Sequence, residues 1–404
     1  MKSFGRRLNQ ELTAEFVKAV HSREPVTGHT HPFYRYPARF SPLFARAAIK
    51  MFTQPGDLIL DPFMGGGTTL VEARVQGRHS VGVDISSLSN FIAQVKTTVL
   101  SEDDIRAILS WSKHLQTYLH CHKPSERPEK WIRGGYQRNI TGKTTWPVRK
   151  LLEQAIAYAS QLADTRLENF ARCALLKTGQ WALDCRKEIP SAEDFRRQLT
   201  VNITEMCEQA RQFSSLIRAV DLDHGNAAPI EVHCVKKSAK EIKKELVFDR
   251  LGAPRLILTS PPYPGVHVVY HRWQIHGRKE TPAPFWIANC MDGRGASFYT
   301  MGDRRKPGLS TYFSQLFETF SALAQVSDSS TLLIQMLAFS EPSCQLPRYL
   351  DVMKQAGFVE DRSDSLANSH DGRIWREVPN RKWYANQKGN TPSSKEVVLI
   401  HRLT

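Results

Sequence analysis

Three short stretches hold residue types that can do chemistry. The first is Asp61-Pro62-Phe63-Met64-Gly65-Gly66-Gly67-Thr68-Thr69. Its glycines let the backbone approach a ligand closely and adopt positive φ. It lacks the lysine of a phosphate-cradling P-loop and the spacing of a dinucleotide fingerprint. The second is Asp84, 23 residues after Asp61. A carboxylate there can accept from both hydroxyls of a ribose, and an acid at position 61 suits a cationic amino group. The ligand implied carries an adenosine and an ammonium; the plain alternative is a structural glycine turn. The third is Ser260-Pro261-Pro262-Tyr263. Two prolines stop a strand and hold the backbone extended. The carbonyls there and the Ser260 hydroxyl can accept from an exocyclic amino group, and Tyr263 can stack on a planar base. An enzyme that flips a base and acts on its NH2 has these needs; the alternative is a proline-rich loop exit.

The elements around these stretches read as a doubly wound sheet. DLILD at 57–61 is a short apolar strand, LVEARVQG at 70–77 has helical spacing and ends on a glycine, and HSVGVD at 79–84 is a second strand. Further strands are expected at 230–235, 256–259, 331–337, 358–359 and 397–401, and helices at 312–324 and 347–355. Residues 101–222 interrupt the alternation with a run of amphipathic helices. A basic, aromatic loop at 123–147 with Trp131, Tyr136 and Trp146 separates the first two. The expected fold class is α/β, doubly wound and mostly parallel. Residues 1–100 and 223–404 would form the catalytic domain, and 101–222 a helical insertion for target recognition or clamping of a strand.

The chain has 404 residues, 41% of them hydrophobic, enough for a sizeable core. No apolar run approaches the ~18–20 residues that span a bilayer, and the first residues lack a signal-peptide core, so a cytoplasmic protein without a membrane partner is expected. Seven cysteines without a CxxC pair argue against a disulfide scaffold or zinc ribbon. His114, His120, Cys121 and His122 fit no standard zinc spacing, so no metal is expected. Cys290 and Cys344 read as buried small residues. The net charge of +15 suggests a polyanionic partner. Lys236, Lys237, Lys240, Lys243 and Lys244 are either a solvated helix face or a phosphate contact. His267, Arg272 and Trp273 lie in a stretch dense in aromatic and basic groups, read as nucleic-acid-facing. Arg381, Lys382 and Trp383 either touch nucleic acid or anchor a long loop.

These stretches together resemble the DNA amino-methyltransferases, which methylate cytosine N4 or adenine N6 from S-adenosylmethionine. DPFMGGGTT at 61–69 is similar to that family's cofactor motif, VGVDIS at 81–86 to its ribose-binding strand, and TSPPY at 259–263 to its catalytic motif. HPFYRYPARFSP at 31–42 resembles the segment that precedes the cofactor motif and packs over the methionine end of the cofactor. The resemblance covers all but the insertion and implies a Rossmann-like methyltransferase sheet. It implies cofactor contacts from Tyr36, Pro37, Phe40, Asp61, Pro62, Phe63, Gly65, Gly67, Thr68, Thr69, Asp84, Ile85 and Ser86, and catalysis by Ser260, Pro261, Pro262 and Tyr263. It also implies double-stranded DNA as substrate and a place in restriction-modification or phage defence, with a cognate nuclease or defence subunit as partner. Serine at 260 favours cytosine N4 over adenine N6. An RNA base methyltransferase and a non-catalytic nucleic-acid-binding module are the alternatives.

Overall fold

In the computed structural model the described residues are 10–36, 40–124, 128–223, 229–264, 272–293, 295–302, 306–362, 366–367, 369–378 and 395–404. Helices α1 (Gln10–His21) and α2 (Pro42–Phe52) come first. Ser41 caps α2 by accepting from the Leu43 N–H, and Pro42 takes a first-turn position where its missing donor costs nothing. Strand β1 (Leu58–Asp61), α3 (Thr68–Val75), β2 (His79–Asp84) and α4 (Ser87–Thr97) form the unit the sequence announces. Five helices follow: α5 (Glu102–Tyr118), α6 (Glu129–Arg133), α7 (Trp146–Ala159), α8 (Thr165–Leu183) and α9 (Ala192–Asp223). The first opens on a capping box between Ser101 and Asp104. The sheet resumes with β3 (Val232–Lys236), α10 (Val247–Leu251) and β4 (Leu256–Thr259). A small ribbon, β5 (Trp273–Ile275) and β6 (Lys279–Thr281), leads into α11 (Ala283–Ile287). The rest comprises α12 (Lys306–Ala324), β7 (Leu332–Ala338), α13 (Pro342–Gln355), β8 (Phe358–Glu360), β9 (Ile374–Glu377) and β10 (Lys395–Leu403).

The strand order is β3-β2-β1-β4-β7-β10-β8, with β9 on the same edge of β10 as β8. The first five strands are parallel, and β10 runs antiparallel between β7 and β8. This is the doubly wound, mostly parallel, Rossmann-like methyltransferase sheet expected from the sequence. Period-two alternation sorts its side chains. Ile59, Leu256, Leu258, Ile334 and Val398 pack on Phe16 of α1 and Phe44 of α2. Leu60, Val83, Ile257, Leu333 and Leu399 pack on Phe320 of α12 and Tyr349 of α13. Each such side chain, fully buried, contributes roughly 1.5–3 kcal/mol. The chain winds outward from β1 to β3 and returns to β4, so β1 and β4 flank the switch point where open α/β sheets bind ligands.

Three local expectations change. Helix α12 starts at Lys306, ahead of 312, and α13 starts at Pro342, with Pro347 inside it. The 123–147 stretch is not an open aromatic loop, since α6 lies within it and Trp146 begins α7. The apolar faces of the helices of 101–222 share one cluster with Leu88 and Ile92 of α4, Tyr34, and Trp273 and Phe285.

Candidate active site

The glycine loop leaves β1 and enters α3 at Gly67, whose φ of 76° suits glycine. A Cβ on Gly66 would lie 2.8 Å from Tyr36 Cβ, which explains a glycine at that position as well. Beneath the loop lies Lys96, buried in α4, whose ammonium donates to the carbonyls of Gly66 (3.1 Å) and Tyr34 (3.4 Å). The 31–36 segment is fastened over this arrangement. His31 Nε2 meets Glu72 Oε1 at 2.8 Å, Arg46 Nε donates to Glu72 Oε2 at 2.9 Å, and the Tyr36 and Ser89 hydroxyls are 2.7 Å apart.

Asp61 turns inward. Its carboxylate accepts from the Thr69 hydroxyl (2.6 Å), the Thr259 hydroxyl (2.8 Å) and the Phe63 N–H (3.1 Å). It therefore ties the glycine loop to the end of β4, and it stands behind the cavity wall, where a direct contact with a ligand ammonium was expected. Gly67, Thr68, Thr69 and Ser86 are also behind the wall; Ser86 caps α4. Asp84 does face the cavity. Its two oxygens accept from the N–H groups of Gly65 (3.1 Å) and Ser86 (2.8 Å). Burial pushes both carboxyls, Asp61 and Asp84, up to about 6.

At the end of β4 the Ser-Pro-Pro-Tyr turn presents a connected set of groups. The Ser260 hydroxyl donates to the Tyr263 hydroxyl at 3.3 Å, and Tyr263 donates to Glu396 Oε1 at 2.9 Å. Arg376 Nε holds the other Glu396 oxygen at 2.7 Å. The Tyr312 hydroxyl donates to the Pro262 carbonyl at 2.8 Å, which fixes the turn from α12.

One cavity joins the two motifs. Tyr36, Phe40, Pro62, Phe63, Gly65, Asp84 and Ile85 line one side, and Ser260, Pro261, Pro262 and Tyr263 line another. It holds about 1150 Å³, its open mouth included. The lining suits a ligand with a diol and a planar base: a carboxylate on a strand end with aromatic rings beside it. Sequence reasoning missed Glu396, Gln315, Thr319, Met336 and the 298–301 stretch in this wall. It also left Lys237 and Lys240 undecided. Both line the cavity and are ion-paired, Lys237 with Glu245 and Lys240 with Glu318.

Several expected nucleic-acid contacts are corrected. Trp273 is 1% exposed, and its indole N–H donates to the Tyr34 hydroxyl at 3.0 Å. Arg272 is drawn inward to Asp292 and Glu280. Tyr136 is 7% exposed, accepts from the Asp292 N–H at 2.9 Å and meets Trp131 edge-on at 4.9 Å. These aromatics build the core because their rings find a partner there. Cys344 is exposed, against the expectation of burial, while burial pushes the Cys290 thiol up to about 12. Pro37, His267, Arg381, Lys382 and Trp383 lie outside the described residues.

The sheet order, with a cavity at its switch point, is that of the Rossmann-like methyltransferase fold. Residues 9–93 match the family model described as DNA methylase. Type II methyltransferase M.MjaII of Methanocaldococcus jannaschii is 33% identical over 108 residues, 27% of this chain and 20% of that protein. Type II methyltransferase M.MvaI of Kocuria varians is 36% identical over 84 residues, 20% of this chain and 18% of that protein. A tRNA (guanine(10)-N2)-dimethyltransferase of Methanothermobacter thermautotrophicus is 45% identical over 58 residues, 14% of this chain and 17% of that protein. The matched part of the chain thus spans a fifth or less of the length of these relatives. The match to the DNA methylase family and to these Type II methyltransferases agrees with the resemblance read from the sequence, over the segment 9–93.

Proposed function

We propose that the chain is an S-adenosylmethionine-dependent DNA methyltransferase acting on an exocyclic amino group, cytosine N4 in preference to adenine N6. The observation that carries this reading is the meeting of the glycine loop and the Ser-Pro-Pro-Tyr turn across one cavity, although about 190 residues separate them in the chain. In this reading Asp84 accepts from the ribose hydroxyls, and Tyr36, Phe63 and Ile85 flank the cofactor. S-adenosylmethionine supplies an electrophilic methyl group on a sulfonium. Ser260 and the Pro261 carbonyl accept from the NH2 of a flipped base, and Tyr263 stacks on it. Alignment and these acceptors lower the barrier. The exocyclic nitrogen would take the methyl directly, the S–CH3 bond breaking to leave a neutral thioether and the nitrogen giving up one proton to solvent, so no covalent enzyme intermediate forms and no cysteine is needed. Membership in a restriction-modification or defence system, beside a nuclease in the cytoplasm, is part of the same proposal. It rests on the likeness to Type II methyltransferases.

Mass spectrometry of nucleosides from DNA of cells expressing the chain tests it. N4-methylcytosine is the expected product. N6-methyladenine would keep the chemistry and correct the base; 5-methylcytosine would overturn the mechanism, because that product requires a cysteine nucleophile. The likeness to a tRNA (guanine(10)-N2)-dimethyltransferase favours one second reading, an RNA base as the acceptor, and the same digest applied to RNA decides between them.

A further inference from the structure

Three segments far apart in sequence are stitched into one surface beside the cavity wall. Asn139 Nδ2 donates to the Glu280 carbonyl at 2.7 Å. His276 Nε2 lies 3.3 Å from the Thr144 hydroxyl, and its Nδ1 lies 3.2 Å from the Lys187 carbonyl. The Cys185 N–H donates to the Gln274 carbonyl at 2.9 Å. The β5–β6 turn therefore sits between the 138–144 stretch and the end of α8. Together, residues 134–144, 185–189 and 276–280 hold the six cations Arg138, Lys143, Arg186, Lys187, Arg278 and Lys279 against two carboxylates, Glu188 and Glu280.

Arg138, Lys143, Lys187, Arg278 and Lys279 are exposed, and among the described residues none of them has a carboxylate within ion-pair distance. Other basic residues, among them Arg74, Lys240 and Arg250, are ion-paired with Asp221, Glu318 and Glu231. An unneutralised cluster costs self-repulsion, which a polyanion relieves.

The surface is also joined to the cavity. Tyr299 lines the cavity and donates to Asp292 Oδ1 at 2.6 Å, and the Asp292 N–H donates to Tyr136, two residues before Arg138. Trp273 follows Tyr263 by ten residues, a reach of at most ~33–36 Å. That is about one turn of duplex DNA.

We infer that this surface is a phosphate-docking platform for duplex DNA, which holds the strand while a base occupies the cavity. It rests on the proposed function and moves the nucleic-acid role within 101–222 from the partly buried Trp131 and the buried Tyr136 to exposed cations. The platform reads charge and spacing, not sequence.

The test is the triple variant Lys143→Glu/Arg278→Glu/Lys279→Glu in the full chain, titrated with a duplex DNA oligonucleotide across a salt series. Removing three phosphate contacts should lower the slope of log K against log salt by roughly 3 and weaken binding at least tenfold. S-adenosylmethionine affinity by calorimetry should be unchanged, which shows the variant is folded. A folded variant with wild-type affinity and slope overturns the platform while leaving the proposed function intact. If the wild-type chain binds structured RNA and not duplex DNA, the DNA assignment of the surface falls together with the proposed substrate.

Discussion

The Tyr263 hydroxyl donates to Glu396 at 2.9 Å, a contact between a turn after β4 and a strand more than 130 residues later. The sequence alone assigned Tyr263 a stacking face and gave its hydroxyl no work. The structure adds a chain of contacts from Ser260 through Tyr263 and Glu396 to Arg376, which fixes the plane of the ring.

Substitutions at this pair should separate the ring from its anchor. Tyr263→Ala should lower turnover most, since base stacking is worth about 1–3 kcal/mol. Tyr263→Phe keeps the face and loses a hydrogen bond to a charged group, worth roughly 1.5–3 kcal/mol. Its turnover should fall about tenfold, with cofactor affinity unchanged by calorimetry. Full turnover in Tyr263→Phe would mean that the anchor is dispensable.

Asp84 should make cofactor binding pH-dependent. Only the ionised carboxylate accepts from both ribose hydroxyls, and burial places its titration at about 6. S-adenosylmethionine affinity should weaken as pH falls through about 6, and Asp84→Asn should flatten that dependence. Asp84→Ala should cost about 10- to 150-fold in affinity at neutral pH. Calorimetry from pH 5 to 8 reads both effects.

Folding stability should respond with the opposite sign. Asp61 and Asp84 have folded values raised to about 6, above the ordinary carboxylate value. Holding them charged and buried costs stability above about 6, and that cost is relieved as pH falls toward ~4. Asp61→Asn should therefore flatten denaturation midpoints over this window relative to wild type.

Gly179 of α8 should tolerate no side chain. A Cβ there would lie 2.6 Å from Trp273 Cη2 and 3.1 Å from Cζ3. Gly179→Ala should cost roughly 1–3 kcal/mol by overpacking, read as a lower urea midpoint. Trp273→Ala should cost about 3–5 kcal/mol, a loss of stability that a surface contact would not produce.

The sheet and both motifs were legible because they rest on local signals. Apolar runs mark β1, β2 and β4, glycines mark the loop, and two prolines mark the turn. What was missed depends on long-range approach. Nothing near Glu396 announces that β10 will return beside β7 and carry it to Tyr263. Lys96 looks like a helix-end lysine until the loop carbonyl it serves is seen. Trp273 and Tyr136 misled because aromatic residues next to basic ones read alike in a core and in a nucleic-acid groove. Only burial tells them apart.

The pairing of β1 with β4, bridged by Asp61 and Thr259, also bears on how the protein is made. Strands β1 and β2 leave the ribosome early, but β4 follows β1 by about 195 residues. At ~5–20 residues per second, one edge of β1 waits roughly 10–40 s for its partner. During that wait Ile59 and Leu60 offer an apolar, unpaired strand to any other nascent chain. The helices α5–α9 are synthesised in the same interval, and they can fold against α4 before β4 arrives. A chain stopped short of residue 256 would keep that edge open permanently, and it should accumulate as aggregates.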